Sequence, residues 1–145
     1  MIHPPNPHSS IPNRARLWLT LGALCGLLTV ALGAFGAHGL KGRIAPELLT
    51  NWGTAADYLG LHALAILACG LFLLQRPTAR LVQAAALALL VGVALFSGSL
   101  FLMALTGARW LGMITPFGGV SLLLGWALLA LGGWRAAGQI TTDQV

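Results

Sequence analysis

A chain of 145 residues, 57% apolar and only 8% charged, is long enough for one domain. It carries too few charges to cover a soluble domain, in which about a quarter of residues are charged. The net charge of +5 does not point to nucleic acid, because the cations fall singly or in pairs between apolar runs and form no basic stripe. They read as topology signals and contacts to anionic headgroups, so the lipid bilayer is the first partner the composition implies.

The first 13 residues, "MIHPPNPHSSIPN", hold four prolines and no apolar periodicity. They read as a disordered tail, and His3 and His8 within it make only a weak pair of metal ligands. Four stretches then reach the roughly 20 apolar residues that cross a hydrocarbon core of about 30 Å. They cover about 17–37, 54–74, 81–105 and 116–134. The first is too long for the apolar core of a cleaved signal, which runs to about 7–15 residues, and reads as a retained span. Asn13 is placed to cap it and Gly39 to end it.

The loop 38–53 is the longest. Its "PELLTNW" segment suits a short interfacial helix, with Pro46 at the first position and Leu48, Leu49 and Trp52 on one face. Pro77 stops the second span, and Thr78 can cap the third. The loop "QRPT" is so short that spans two and three must be antiparallel neighbours. Gly107 can give the third span a left-handed exit. "TP" at 115–116 reads as an N-cap followed by proline at the first helical position. Residues 136–145 read as a polar tail, leaving 14–135 as the transmembrane domain. Trp52, Tyr58 and Trp110 are expected at one membrane border, and Trp18 and Trp134 at the other. With both termini cytoplasmic, that side holds five cations (Arg14, Arg16, Arg76, Arg80, Arg135) and the far side three (Lys41, Arg43, Arg109). This bias favours that orientation.

Lipid removes the hydrophobic drive between helices, so small residues mark where backbones can approach. Gly22 and Gly26 form a G-x-x-x-G, continued by Thr29 and Gly33. Gly118, Ser121, Gly125 and Gly132 fall within about 60° on a wheel of 100° per residue. The third span offers Gly92, Ser97, Gly98 and Ser99. Cys25 and Cys69 lie inside apolar runs and read as small buried hydrophobes. The fold expected is an all-α membrane protein, four transmembrane helices in an antiparallel bundle.

"GAFGAHGL" at 33–40, "DYLGLHALAIL" at 57–67, "LFSGSLF" at 95–101 and "TPFGGVSLLLGWALL" at 115–129 together resemble the YgdD-like family of small bacterial inner-membrane proteins, domain of unknown function 423. The resemblance covers about residues 17–134, with four motifs in order. It implies a four-helix inner-membrane protein and supplies no activity. Its marked positions fall on Gly36, His38, Tyr58, His62, Ser97, Gly98, Ser99, Thr115, Pro116, Gly118 and Gly119. Asp57 fills the acidic position before the tyrosine. The proline-rich tail departs from the family form.

Few residues could carry chemistry. No phosphate loop or nucleophile elbow is present, and the hydroxyls of Ser97 and Ser99 sit mid-helix, where they usually bond their own backbone. His38, Asp57 and His62 cluster toward one end. A shared metal is disfavoured, because His62 lies about 7.5 Å deeper than Asp57 along the axis and about 140° around it. A bis-histidine haem fails because His38 ends its span while His62 is well inside the next. No cofactor or metal is therefore expected, and no enzyme. The polar positions singled out are His38, Asp57, Tyr58, His62, Ser97, Ser99 and Thr115. Asp57 reads as an interfacial anchor paired with His38, and Tyr58 with His62 as a bond fixing spans one and two. The leading reading is a non-catalytic structural or partner-binding membrane component, with another membrane protein or a second copy of itself as the candidate partner. The alternative is an oligomeric proton- or ion-coupled transporter or channel using His38, Asp57 and His62.

Overall fold

The computed structural model describes the backbone of residues 13–142 and the side chains of residues 13–137. Residues 1–12 of the expected disordered tail, His3 and His8 among them, lie outside these residues. Four long helices follow one another: α1, Asn13–Ala34; α2, Pro46–Gln75; α3, Arg80–Thr106; and α4, Thr115–Thr142. No strand occurs among the described residues. All four are long and apolar enough to cross a membrane, and the protein is an all-α membrane protein.

Chain punctuation accounts for most helix ends. Pro46 starts α2 without losing a backbone bond. Arg76 ends it before Pro77, and its N–H returns to the Phe72 carbonyl at 3.0 Å. Gly107 leaves α3 at φ 72°, with its N–H on the Met103 carbonyl at 2.9 Å, the left-handed exit that favours glycine.

Several local expectations are corrected. Asn13 is already helical rather than a cap. Gly39 does not end the first span: the helix widens into a π-helical segment over Phe35–Leu40, and the left-handed residue is Gly42, at φ 77°. Thr78 does not cap α3; Ala79 takes that place without a side-chain bond, while Gln83 Nε2 donates to the Pro77 carbonyl at 2.9 Å. The "PELLTNW" segment is no separate helix, because nothing in it interrupts the backbone ladder and it forms the first turns of α2. The polar ending 136–145 does not interrupt α4, which continues to Thr142: leaving the membrane does not end a helix whose next residues, Ala136 and Ala137, are strong helix formers.

Sequential packing sets the architecture. α1 packs on α2, α2 on α3 and α3 on α4, and no comparable α1–α4 interface forms among the described residues. The central pair is thus the most enclosed, with 44% and 50% of its apolar windows in α2 and α3 buried within the chain, against 17% in α1 and in α4. The main core runs between the helices through Ile66, Cys69, Leu73, Val82, Ala85 and Leu89. Cys25 and Cys69 are free and buried.

Glycines set the spacing at both flanking seams. At α1–α2, a methyl group on Gly22 would lie 2.7 Å from Leu67 Cγ and 2.8 Å from its backbone nitrogen. One on Gly70 would lie 2.9 Å from the Leu19 nitrogen, and one on Gly60 would lie 2.9 Å from a Thr29 methyl. At α3–α4, Gly118 lies against backbone on both sides, a methyl there falling 2.8 Å from Phe96 Cα and 2.9 Å from the Gly92 carbonyl oxygen. Gly125 meets Leu89, Gly132 meets Val82 and Gly92 meets Leu122, while Ser121 donates to the Ala88 carbonyl at 2.8 Å. The fourth-span stripe thus faces α3. Gly26 and Gly33 do not pack within the chain, since a methyl on either meets nothing within 4 Å; nor does Gly98. The G-x-x-x-G pattern marks where a helix can be approached, and α2 crosses α1 at only one of its two glycines.

These contacts predict opposite responses to one change. Gly118→Ala should destabilise by about 1–3 kcal/mol, since backbone on both sides cannot rotate away. Gly26→Ala, at an open helical position, should be neutral or slightly stabilising, by about 0.5 kcal/mol. Thermal unfolding in detergent measures both; equal midpoints would remove Gly118 from the seam.

Candidate functional site

The polar positions divide into three groups. In the centre, His62 on α2 is 2% exposed. Its Nδ1 lies 2.7 Å from the Tyr58 carbonyl oxygen, and its Nε2 lies 3.2 Å from Nε1 of Trp126 on α4. An indole N–H can only donate and a carbonyl can only accept. Nε2 must therefore accept and Nδ1 must donate, which fixes the neutral Nδ1–H tautomer with both ring nitrogens occupied. The Tyr58 ring stacks on Phe96 of α3, with centroids 4.3 Å apart, and more distantly on His62, at 5.8 Å. The expectation that Tyr58 and His62 fix spans one and two is corrected: they connect α2 with α3 and α4. Trp126 and Phe96 were not singled out from sequence. A signal for Trp126 was available, because a mid-span indole N–H needs an acceptor.

The second group lies where α3 meets the start of α4. Ser99 Oγ donates to the Phe96 carbonyl at 2.9 Å and lies 2.9 Å from Thr115 Oγ1. With its own hydroxyl bonded to the Phe96 carbonyl, Ser99 accepts from Thr115. Thr115 is therefore not the expected helix cap; it stands inside the first turn and bonds across the seam. Ser97 is 2% exposed and its Oγ has no hydrogen-bond partner among the described residues.

The third group lies at the same end of the bundle as the second, at the π-helical segment. Trp52 is 2% exposed rather than at the lipid border. Its Nε1 donates to the Leu32 carbonyl at 2.8 Å, and its ring meets Phe35 and Phe101 edge-on, at 5.7 and 4.6 Å. Gly36 makes room, since a methyl there would lie 2.5 Å from the indole. The widening of α1 coincides with this approach of a side chain to its ladder. Trp18 is also buried, whereas Trp110 and Trp134 are 60% and 82% exposed. His38 and Asp57 are both exposed and form no ion pair with each other, so the expected anchor pair is not made. Asp57 instead lines a cleft of about 310 Å³ with Lys41, Gly36 and Trp52. The ion pair at this end joins Arg109 to Glu47 at 3.4 Å, well exposed, where such pairs contribute little.

Among the described residues no group of three or more His, Cys, Asp or Glu side chains is placed to hold a metal. His38, Asp57 and His62 are thus not brought together.

The family model "Protein of unknown function (DUF423)" matches residues 32–119, the stretch holding all three polar groups except Trp126. The chain belongs to the DUF423 family. It is 39% identical over 123 residues to a UPF0382 membrane protein of Staphylococcus haemolyticus, covering 85% of this chain and 99% of that one. It is 37% identical over 116 residues to the UPF0382 membrane protein YwdK of Bacillus subtilis, covering 80% of this chain and 94% of that one. No solved structure matches. The family carries no assigned molecular function, so the geometry has to be weighed on its own.

The His62–Trp126 bond can be tested by its coupling. Trp126→Phe or His62→Leu alone leaves a buried polar partner unsatisfied and should each destabilise by about 1–3 kcal/mol. The double variant should lose less than the sum, by about 0.5–3 kcal/mol, in detergent unfolding. Strict additivity would mean the bond does not form.

Proposed function

We propose that this DUF423 protein is a non-catalytic component of the bacterial inner membrane, acting by binding a membrane-protein partner or a second copy of itself. The observation that carries this reading is that His62, a buried ionisable side chain well inside its apolar span, has both ring nitrogens committed to the fold. A group that relays protons or performs acid–base chemistry needs a free site and a reachable partner. His38 and Asp57 offer no second stage, because they neither pair nor approach His62 as a set. The weakly enclosed flanks of α1 and α4 supply apolar area for lipid or for another helix. In this reading both termini are cytoplasmic, supported by the five-to-three distribution of cations.

Two experiments test it. A periplasm-active reporter fused after Trp52 should be active, and one fused at the C-terminus silent; the reverse pattern inverts the orientation. In a deletion strain whose phenotype is complemented by the wild type, Asp57→Asn and His62→Gln should also complement while remaining folded. Loss of the cellular role by either folded variant would overturn the structural reading in favour of proton or ion coupling.

A further inference from the structure

The charges at the two ends of the helices are arranged differently. The end bearing Lys41, Arg43 and Arg109 also holds both acids of the described residues, Glu47 and Asp57. The opposite end carries Arg14, Arg16, Arg76, Arg80 and Arg135, with no acid among the described residues; Asp143 lies outside them. There the turn between α2 and α3 faces α4 across a cleft of about 610 Å³. Arg76, Arg80 and Arg135 line it, and its apolar walls include Leu81, Val82 and Gly132. Arg80 also lines a second cleft of about 380 Å³, together with Arg14 and Trp18, so the two clefts share this residue.

The cleft is held in shape before any ligand arrives. The Arg14 guanidinium bonds Gln83 Oε1, and Gln83 Nε2 donates to the Pro77 carbonyl at 2.9 Å. This chain ties α1 to the α2–α3 turn. On the other wall, Gly132 lets α4 close on Val82, a methyl there falling 2.9 Å from a valine methyl. The level in the membrane follows from helix length. Arg76 lies 19 residues from Asp57 along α2, about 29 Å, which is about one hydrocarbon thickness. The arginines therefore stand at the headgroup border. Trp134, 82% exposed beside Arg135, is a side chain of the kind that settles there.

We infer that this cleft is a binding site for an anionic phospholipid, with the headgroup phosphate held by Arg80 and Arg135. Guanidinium groups form paired bonds to phosphate oxygens. Basic pockets between transmembrane helices are the kind of site that takes such headgroups. A lipid is preferred to a soluble anion because the cleft is walled by apolar side chains. The exposed faces of Leu74, Leu87 and Leu131 also lead away from it along the helices, where acyl chains would lie. The inference is independent of the proposed cellular role, since it requires only that the four helices span a bilayer.

Native mass spectrometry and thermal unfolding of the full chain in an uncharged detergent test it. Phosphatidylglycerol should be retained at least about tenfold better than phosphatidylcholine of the same chain length and should raise the unfolding midpoint, with retention falling as salt is raised. Arg80→Gln with Arg135→Gln should abolish that preference, whereas Lys41→Gln with Arg43→Gln, at the other end, should keep it. Equal retention of both lipids, or an unchanged preference in the Arg80/Arg135 variant, would overturn the inference. So would an equal midpoint shift from inorganic phosphate alone, which would make the cleft a soluble-anion site. If the Arg80/Arg135 variant does not fold, salt dependence decides: a preference of the wild type that persists undiminished in high salt overturns the site as well.

Discussion

Close approach of helix backbones at glycine is the constraint on which the rest of this structure depends. In lipid, apolar side chains gain little by leaving their surroundings, so helices associate through contact and hydrogen bonding. At the α3–α4 seam Gly118 brings α4 onto the backbone at Phe96 and Gly92. That distance is what lets the short side chains of Ser99 and Thr115 reach each other and lets Ser121 reach the Ala88 carbonyl. The same seam sets α4 close enough to α2 for Trp126 to reach His62 past α3. Small residues thus come first in the causal order, and the hydrogen bonds follow from the spacing they set.

The polar groups then do what apolar contact in lipid cannot: they choose one register among many. A sliding error of one helical turn, about 5.4 Å, would leave helix surfaces nearly as well covered by lipid as before. It would separate Trp126 from His62 and Trp52 from the Leu32 carbonyl, stranding polar atoms in hydrocarbon. The penalty for an unsatisfied buried donor or acceptor exceeds the net gain from making its bond. His62, Trp52, Ser99 and Thr115 therefore act chiefly by making alternatives expensive, and their bonds, one toward the middle and two near one end, tie α2 to α4, α2 to α1 and α3 to α4.

The sequence makes the helices legible and leaves much of their pairing hidden. Hydrophobic length, Pro46, Pro77 and Gly107 mark the spans and several ends, because those effects are local. The stripe of Gly118, Gly125 and Gly132 could be read as a face, but no wheel says which helix it meets. Gly26 and Gly33 carry the same pattern and meet nothing within the chain. Gly60 and Gly70, which α1 does contact, are ten residues apart and form no small-residue motif. The polar cluster was legible as residue types and misassigned as a set. His38 and Asp57 are near in sequence register, yet the π-helical segment turns α1 just where the pairing would be made. Nothing local in "FGAHGL" announces that widening, which coincides with the approach of Trp52 from the next helix.

The asymmetry of the two ends has a physical consequence for how the molecule sits. At one end Trp52 is packed between Phe35 and Phe101, and the cations of the two loops, Lys41, Arg43 and Arg109, share that end with the acids of α2, Glu47 and Asp57. Those loops can approach headgroups of either sign without strong preference. At the other end five arginines stand with no described acid among them. Like charges brought close together repel one another. The fold nevertheless gathers three of them around one cleft. Burying the α2–α3 turn against α4 through Gly132 and Val82 brings Arg80 and Arg135 to the walls of the same cleft. Negative lipid phosphates are available to groups standing at that border. Helix packing at the glycine seam and attachment of the arginine-rich end to the membrane surface are therefore coupled, since the packing at Gly132 and Val82 shapes the cleft that a lipid phosphate would enter.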